Sequence, residues 1–197
     1  LINLFILSII QFLFLFVLNK LAYKVNFLDY PNKRKVHEKP TPYIGGLTLS
    51  LSFCIVVYIS KIEYQSLNLI LLFATIISVV GFVDDKFDIN PFIKLILQSI
   101  PVYILISMGL YLNDIGEYGI IGKINLGNYS EIFTFLSCLL IINAFNYMDG
   151  VDGLLSSLFI NIFSYFAIVC YFFDKIFVSQ ILIYLIHLVI IFFLFNI

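Results

Sequence analysis

Two asparagines and two aspartates fall where one apolar run ends and the next begins, in the stretch Asn143-Ala144-Phe145-Asn146-Tyr147-Met148-Asp149-Gly150-Val151-Asp152-Gly153-Leu154. Asn143, Asn146 and Asp149 are spaced i, i+3 and i+6, so on a helix they lie near one face. Such polar groups beside hydrocarbon are costly unless they meet a ligand, an ion or a partner. Gly150 and Gly153 free the local backbone and allow close approach to it. Asp152 alone has a plainer reading, as the cap of a helix starting near Leu154. That reading leaves the other three unexplained, and the cluster points to a binding or catalytic site.

A second group reads Gly81-Phe82-Val83-Asp84-Asp85-Lys86-Phe87-Asp88-Ile89-Asn90-Pro91 and runs on to Lys94 and Gln98. Adjacent carboxylates repel, so both stay ionised only beside a cation. A divalent metal with phosphate is one such source, since magnesium sites use one or two carboxylates plus substrate oxygens. One carboxylate could also serve as general base toward a phosphate or hydroxyl nucleophile. Simple solvation, helped by the neighbouring Lys86, is the alternative. The third group lies in the first loop, from Asp29 through Pro31, Lys33, Arg34, Lys35, His37, Lys39, Pro40 and Pro42 to Gly45-Gly46. Its prolines and paired glycines make a shaped loop rather than a helix. The basic residues could hold phosphates at a membrane surface, or act as a topology signal that touches anionic lipid.

The elements that carry these groups follow from composition. Of 197 residues, 62% are hydrophobic and only 12% charged, against about 45–50% and 25% in a soluble domain. The mean hydropathy is +1.07. One globular core cannot bury so much apolar side chain, and a polytopic membrane protein is the reading that fits. Apolar runs mark spans near 1–22, 44–60, 66–83, 92–112, 131–148, 154–173 and 177–195. In lipid the backbone must satisfy its own hydrogen bonds, so each is read as a helix. The fold class expected is all-α and polytopic, with about seven transmembrane helices in a single domain. Pro101 should kink its span, and His187 should sit in the core or against a backbone carbonyl. Cys54, Cys138 and Cys170 lie inside apolar runs without metal or redox spacing. A net charge of −1 gives no reason to expect a nucleic-acid partner.

Counting basic residues orients the spans. The loops at 20–43 and 84–94 hold Lys20, Lys24, Lys33, Arg34, Lys35, Lys39, Lys86 and Lys94; the other side holds Lys61, Lys123 and Lys175. Positive charge collects in the cytoplasm, so all three polar groups are expected on the cytoplasmic face. On the outer side, 120–127 should form a small external β-hairpin with its turn at Gly122-Lys123.

Taken together, the three groups resemble the polyprenyl-phosphate N-acetylhexosamine-1-phosphate transferase family (glycosyltransferase family 4), and within it the WecA/TagO type rather than MraY. The likeness is carried by Asp29-x-Pro31 with Arg34-Lys35-x-His37 and Gly45-Gly46, then Asp84-Asp85 with Lys94 and Gln98, then Asn143-x-x-Asn146-x-x-Asp149-Gly150-x-Asp152-Gly153-Leu154. They occur in family order and on one membrane face. The resemblance implies transfer of N-acetylhexosamine 1-phosphate from a UDP-N-acetylhexosamine to undecaprenyl phosphate, with release of UMP. It implies Mg2+, with Mn2+ as a substitute, and it leaves room for a homodimer. Asp84 and Asp85 match the catalytic carboxylate pair, as base or as metal ligands. Asn146 matches a metal ligand, and Asn143, Asp149 and Asp152 match positions at the substrate. Lys94 would contact phosphate, while Lys35 and His37 would line the sugar-nucleotide entrance. The expected location is the bacterial inner membrane. Family members continue past the equivalent of Asn196 into a Gly-Asp segment and a His-rich motif, so a chain cut there is expected to be inactive by itself. An ion-coupled transporter is the competing reading, but it calls for inverted repeats and polar groups at the bilayer midplane. An inactive remnant of the transferase is another.

Overall fold

The computed structural model describes residues 2–29, 40–59, 65–120, 122–148 and 153–195. Among the described residues seven α-helices are formed: α1 (Ile2–Lys24), α2 (Gly45–Ile59), α3 (Gln65–Phe87), α4 (Pro91–Ser107), α5 (Ser130–Met148), α6 (Leu154–Phe172) and α7 (Ile176–Phe195). Five of them are long and apolar enough to cross a membrane, while α2 and α4 are shorter apolar helices. At 1.5 Å per residue, the 17 residues of α4 reach about 26 Å, slightly less than a hydrocarbon core of about 30 Å. The molecule is a multi-pass helical membrane protein, as composition required. Phe5, Phe12, Phe16, Leu136, Leu140, Phe172 and Leu194 are exposed because lipid, rather than protein, is their partner.

The helix ends depart from the sequence reading in two places. Residues 84–87 continue α3 rather than starting a loop, so Asp84 and Asp85 stand on its last turn. Asp88 ends the helix in the left-handed region (φ 48°), its amide still bonded to the Asp84 carbonyl at 2.8 Å. In turn, α4 stops at Ser107 instead of reaching 112, because Gly109 (φ 86°) turns the chain out of the helix.

Two compact units divide the chain, one made of 1–63 with 148–197 and the other of 64–147. In the first, α1, α2 and α7 pack on one another, and α6 packs along α7. A two-residue ladder that the sequence did not announce, β1 (Leu28–Asp29) with β2 (Thr41–Pro42), closes the base of the first loop. His187 pairs with a side chain: its Nε2 lies 2.7 Å from Ser8 Oγ. The Ser8 hydroxyl donates its one proton to the Leu4 carbonyl at 3.0 Å, so Nε2–H is the donor to Ser8. Gln11, one turn along α1, is fully buried with neither amide atom paired among the described residues.

Two motif glycines are explained by α7. A Cβ on Gly45 would stand 2.7 Å from Phe192 Cζ, and one on Gly153 would stand 2.8 Å from Phe193 Cε2. Gly153 also has φ 73°, where a side chain costs roughly 1–2 kcal/mol. Strain and contact add, so Gly153→Ala is expected to lower the melting temperature in detergent by several degrees. An unchanged melt would show that Phe193 yields freely.

In the second unit, β3 (Asp114–Tyr118) and β4 (Gly122–Asn125) form the expected hairpin, displaced toward the N-terminus. Tyr118 pairs with Gly122 and Glu117 with Lys123, so Gly122-Lys123 is strand and the turn lies before it. Lys123 Nζ also meets Asp114 Oδ2 at 3.0 Å, diagonally across the strands. That ammonium, aided by the Gly116 amide, holds the Asp114 carboxyl below the ordinary aspartate range. A depressed carboxylate stabilises above its unfolded value, about pH 3.9, and loses that contribution as pH falls through the lower folded value. Lys123→Met is expected to raise the Asp114 titration midpoint, as read by carboxyl carbon NMR; an unmoved midpoint would contradict the pairing.

Candidate active site

The site of the second unit is built on α4. Asn90 precedes the helix and its Oδ1 accepts from the Phe92 amide at 2.9 Å, while Pro91 supplies a preset first helical residue. This fixes a three-residue connection, 88–90, between α3 and α4. The buried side of α4 is a stripe of Lys94, Gln98, Pro101, Val102 and Ile106. Toward its C-terminal end the stripe is apolar: Val102 and Ile106 pack with Leu139 of α5, flanked by Ile77, Phe135 and Ile142. Pro101, inside the helix, has no amide to donate and leaves the Leu97 carbonyl without its helical partner.

Toward its N-terminal end the stripe is polar, and each polar residue takes hold of a neighbouring helix. Lys94 Nζ donates to Asp84 Oδ2 of α3 at 2.6 Å. The side chains are 9% and 18% exposed, so the pair is largely withdrawn from solvent. Gln98, 2% exposed, accepts from Asn143 Nδ2 of α5 at 3.1 Å. The same nitrogen donates to the Leu139 carbonyl at 2.8 Å. Residue 98 thus faces 143, as 102 packs with 139.

Asp84, Lys94, Gln98 and Asn143 are thus tied by two contacts to one helix face. Asp85 follows Asp84 on an exposed position, and Asn146 is exposed one turn beyond Asn143. Lys86 lies 5.8 Å from the centroid of the Phe87 ring. The cation beside Asp84 comes from α4, ten residues along, rather than from adjacent Lys86. Lys35, His37, Asp149 and Asp152 lie outside the described residues. Gln98 is the residue to which sequence reasoning gave no role of its own. Its signal was present: Lys94 and Gln98 stand i, i+4 on an otherwise apolar helix and must share a face.

Comparison with known proteins adds the chemistry of relatives. The model of glycosyl transferase family 4 matches residues 67–197, the stretch that holds both carboxylates and the Asn/Asp cluster. This chain belongs to that family. Among its family-4 relatives, the "undecaprenyl-phosphate alpha-N-acetylglucosaminyl 1-phosphate transferase" of Yersinia pestis is 34% identical over 146 residues. The protein of that name in Escherichia coli K12 is 34% identical over 147 residues. In both cases the match covers 74% of this chain and 40% of the relative. A Bacillus subtilis relative, named "Probable undecaprenyl-phosphate N-acetylglucosaminyl 1-phosphate transferase", is 31% identical over 143 residues, 72% of this chain and 40% of its own length. The chain therefore spans about two fifths of the length of these relatives.

Proposed function

We propose that this family-4 chain carries part of an undecaprenyl-phosphate N-acetylhexosamine-1-phosphate transferase. The observation that carries the reading is the buried Asp84–Lys94 pair beside Asp85 in a chain about one third identical to transferases of that name. In the reaction, an oxygen of undecaprenyl phosphate attacks the sugar-bearing phosphorus of the UDP-N-acetylhexosamine. The bond between the two phosphorus atoms' bridging oxygen and that phosphorus breaks, UMP leaves, and a lipid diphosphate sugar remains. Little covalent work falls to the protein in such a displacement; positioning and charge control dominate.

Among the described residues no three His, Cys, Asp or Glu converge on a metal site. Magnesium does not need three, since it takes one or two carboxylates and fills its remaining positions with water and phosphate. Asp85, with Asp84 and the Asn146 amide oxygen, offers hard oxygen donors of the kind that fits Mg2+ or Mn2+. When bound, the ion neutralises the diphosphate and orients the leaving phosphate. Lys94 holds the Asp84 carboxylate in place through its 2.6 Å contact. Asp85 either joins the metal or takes the proton of the lipid phosphate. Lys35 and His37 are proposed at the sugar-nucleotide entrance, Asp149 and Asp152 at the nucleotide.

The excess of Lys and Arg beside the three groups supports a cytoplasmic active face in a bacterial inner membrane. The lipid acceptor would then arrive sideways from the bilayer and the sugar nucleotide from the cytoplasm. The test is UMP release by membranes containing the full-length protein, given UDP-N-acetylglucosamine and undecaprenyl phosphate with Mg2+. Release that requires the lipid is expected; release that ignores it, or none, would overturn the proposal.

A further inference from the structure

We infer that Gln98 is a positioning residue that locks the Asn143 amide with its carbonyl oxygen turned to the ligand, so that Asn143 receives an electropositive group and not a phosphate oxygen. The inference rests on the transferase reading above and deepens it. A backbone carbonyl only accepts, so the Asn143 atom 2.8 Å from the Leu139 carbonyl must be the nitrogen. That amide has two protons. One goes to Leu139 and the other to Gln98 Oε1 at 3.1 Å. No donor capacity remains, and Oδ1 has no hydrogen-bond partner among the described residues.

Asn143 is half-buried while Gln98 is buried at 2% exposure, so the lock is internal and the remaining oxygen belongs to the accessible side. An amide free to turn could present either end to a ligand. This one presents only an acceptor. Phosphate oxygens, which also accept, are refused by it. The groups it can take are a hydroxyl or amide N–H of the sugar nucleotide, or a divalent cation. Lys94, one turn from Gln98 on the same stripe, gives its ammonium to Asp84.

The experiment uses the full-length protein. Lipid-dependent UMP release by the wild type checks the transferase reading by itself, and the variants check the inference. Asn143→Asp gives up the bond to the Leu139 carbonyl but keeps an oxygen toward the ligand, because Gln98 can rotate its amide to donate to the carboxylate; Asn143→Leu gives up both bonds and keeps no oxygen. Asn143→Asp is expected to hold kcat/KM roughly 10-fold above Asn143→Leu. Gln98→Met is expected to raise KM for the sugar nucleotide by roughly 10-fold with little change in kcat, and Gln98→Glu, which still accepts, to return it to within about 3-fold. Calorimetric titration of UDP-N-acetylglucosamine into metal-free protein, and of Mg2+ alone, separates the two sources: Asn143→Leu weakens whichever one the oxygen holds. With 15N-asparagine labelling, both Asn143 amide protons should exchange slowly, and one should lose protection in Gln98→Met, whether or not the protein turns over. Asn143→Asp at or below Asn143→Leu would place phosphate at this residue and overturn the inference. So would Gln98→Met with a wild-type KM and unaltered amide exchange, or Asn143→Leu binding both ligands as the wild type does.

Discussion

Asp85→Asn in the full-length protein is expected to lower UMP release by roughly 10²–10⁴-fold, the range for loss of a positioned acid–base group, while leaving the fold almost untouched. Asp85 is exposed on the last turn of α3. Any surface pairing it makes contributes less than about 1 kcal/mol. Asp84→Asn should match it in turnover but differ in stability. Among the described residues Asp84 is the ion-pair partner of Lys94, and neutralising it leaves a largely buried ammonium facing an amide. Two adjacent carboxylates thus separate into one that costs activity alone and one that costs both. The measurement pairs UMP release at saturating substrates with thermal unfolding in detergent. Wild-type turnover in Asp85→Asn removes that residue from the site; equal melting temperatures in the two variants removes the distinction.

That distinction was not legible in the sequence, although most of the fold was. All seven helices were announced by apolar runs, because lipid forces any spanning segment to satisfy its own backbone. Hydropathy decides where a helix is needed and says little about where it stops. Asp84, Asp85 and Lys86 read as a loop by polarity, yet the helical hydrogen bonding runs through them until Asp88 takes a left-handed conformation. The hairpin shows the same limit in another form. Its existence followed from the glycines, but its register, with Glu117 opposite Lys123 and an irregularity between Asp114 and Glu117, is not given by any local pattern. Types and spacing singled out Asp84, Asp85, Asn143 and Asn146 as candidates, and the family resemblance added Lys94. Which of them touch depends on the register of α3, α4 and α5, a tertiary fact. Gln98 shows this best: unremarkable alone, it gains a role only because Asn143 of α5 lies opposite it.

Lys94→Met should produce the largest loss of stability of any single change at the site, about 3 kcal/mol, the low end for removing one partner of a buried ion pair. For a chain of this size that corresponds to roughly 6–12 °C in melting temperature. The reason lies in what remains: the Asp84 carboxylate, 18% exposed, loses a partner at 2.6 Å and has little water to replace it. Methionine fills most of the lysine's volume, so packing along the α4 stripe is kept and the loss reports on charge. The double variant Asp84→Asn with Lys94→Met then decides between charge and shape. With both charges gone, stability should return above that of either single variant, since neither charge is left buried without its partner. Turnover should not return, because the carboxylate is absent. Additive losses in the double variant would mean that the two residues act separately and that the 2.6 Å contact carries no coupling. Recovery of both stability and turnover would mean that Lys94 serves only to neutralise Asp84, and that Asp85 alone supplies the carboxylate the reaction needs.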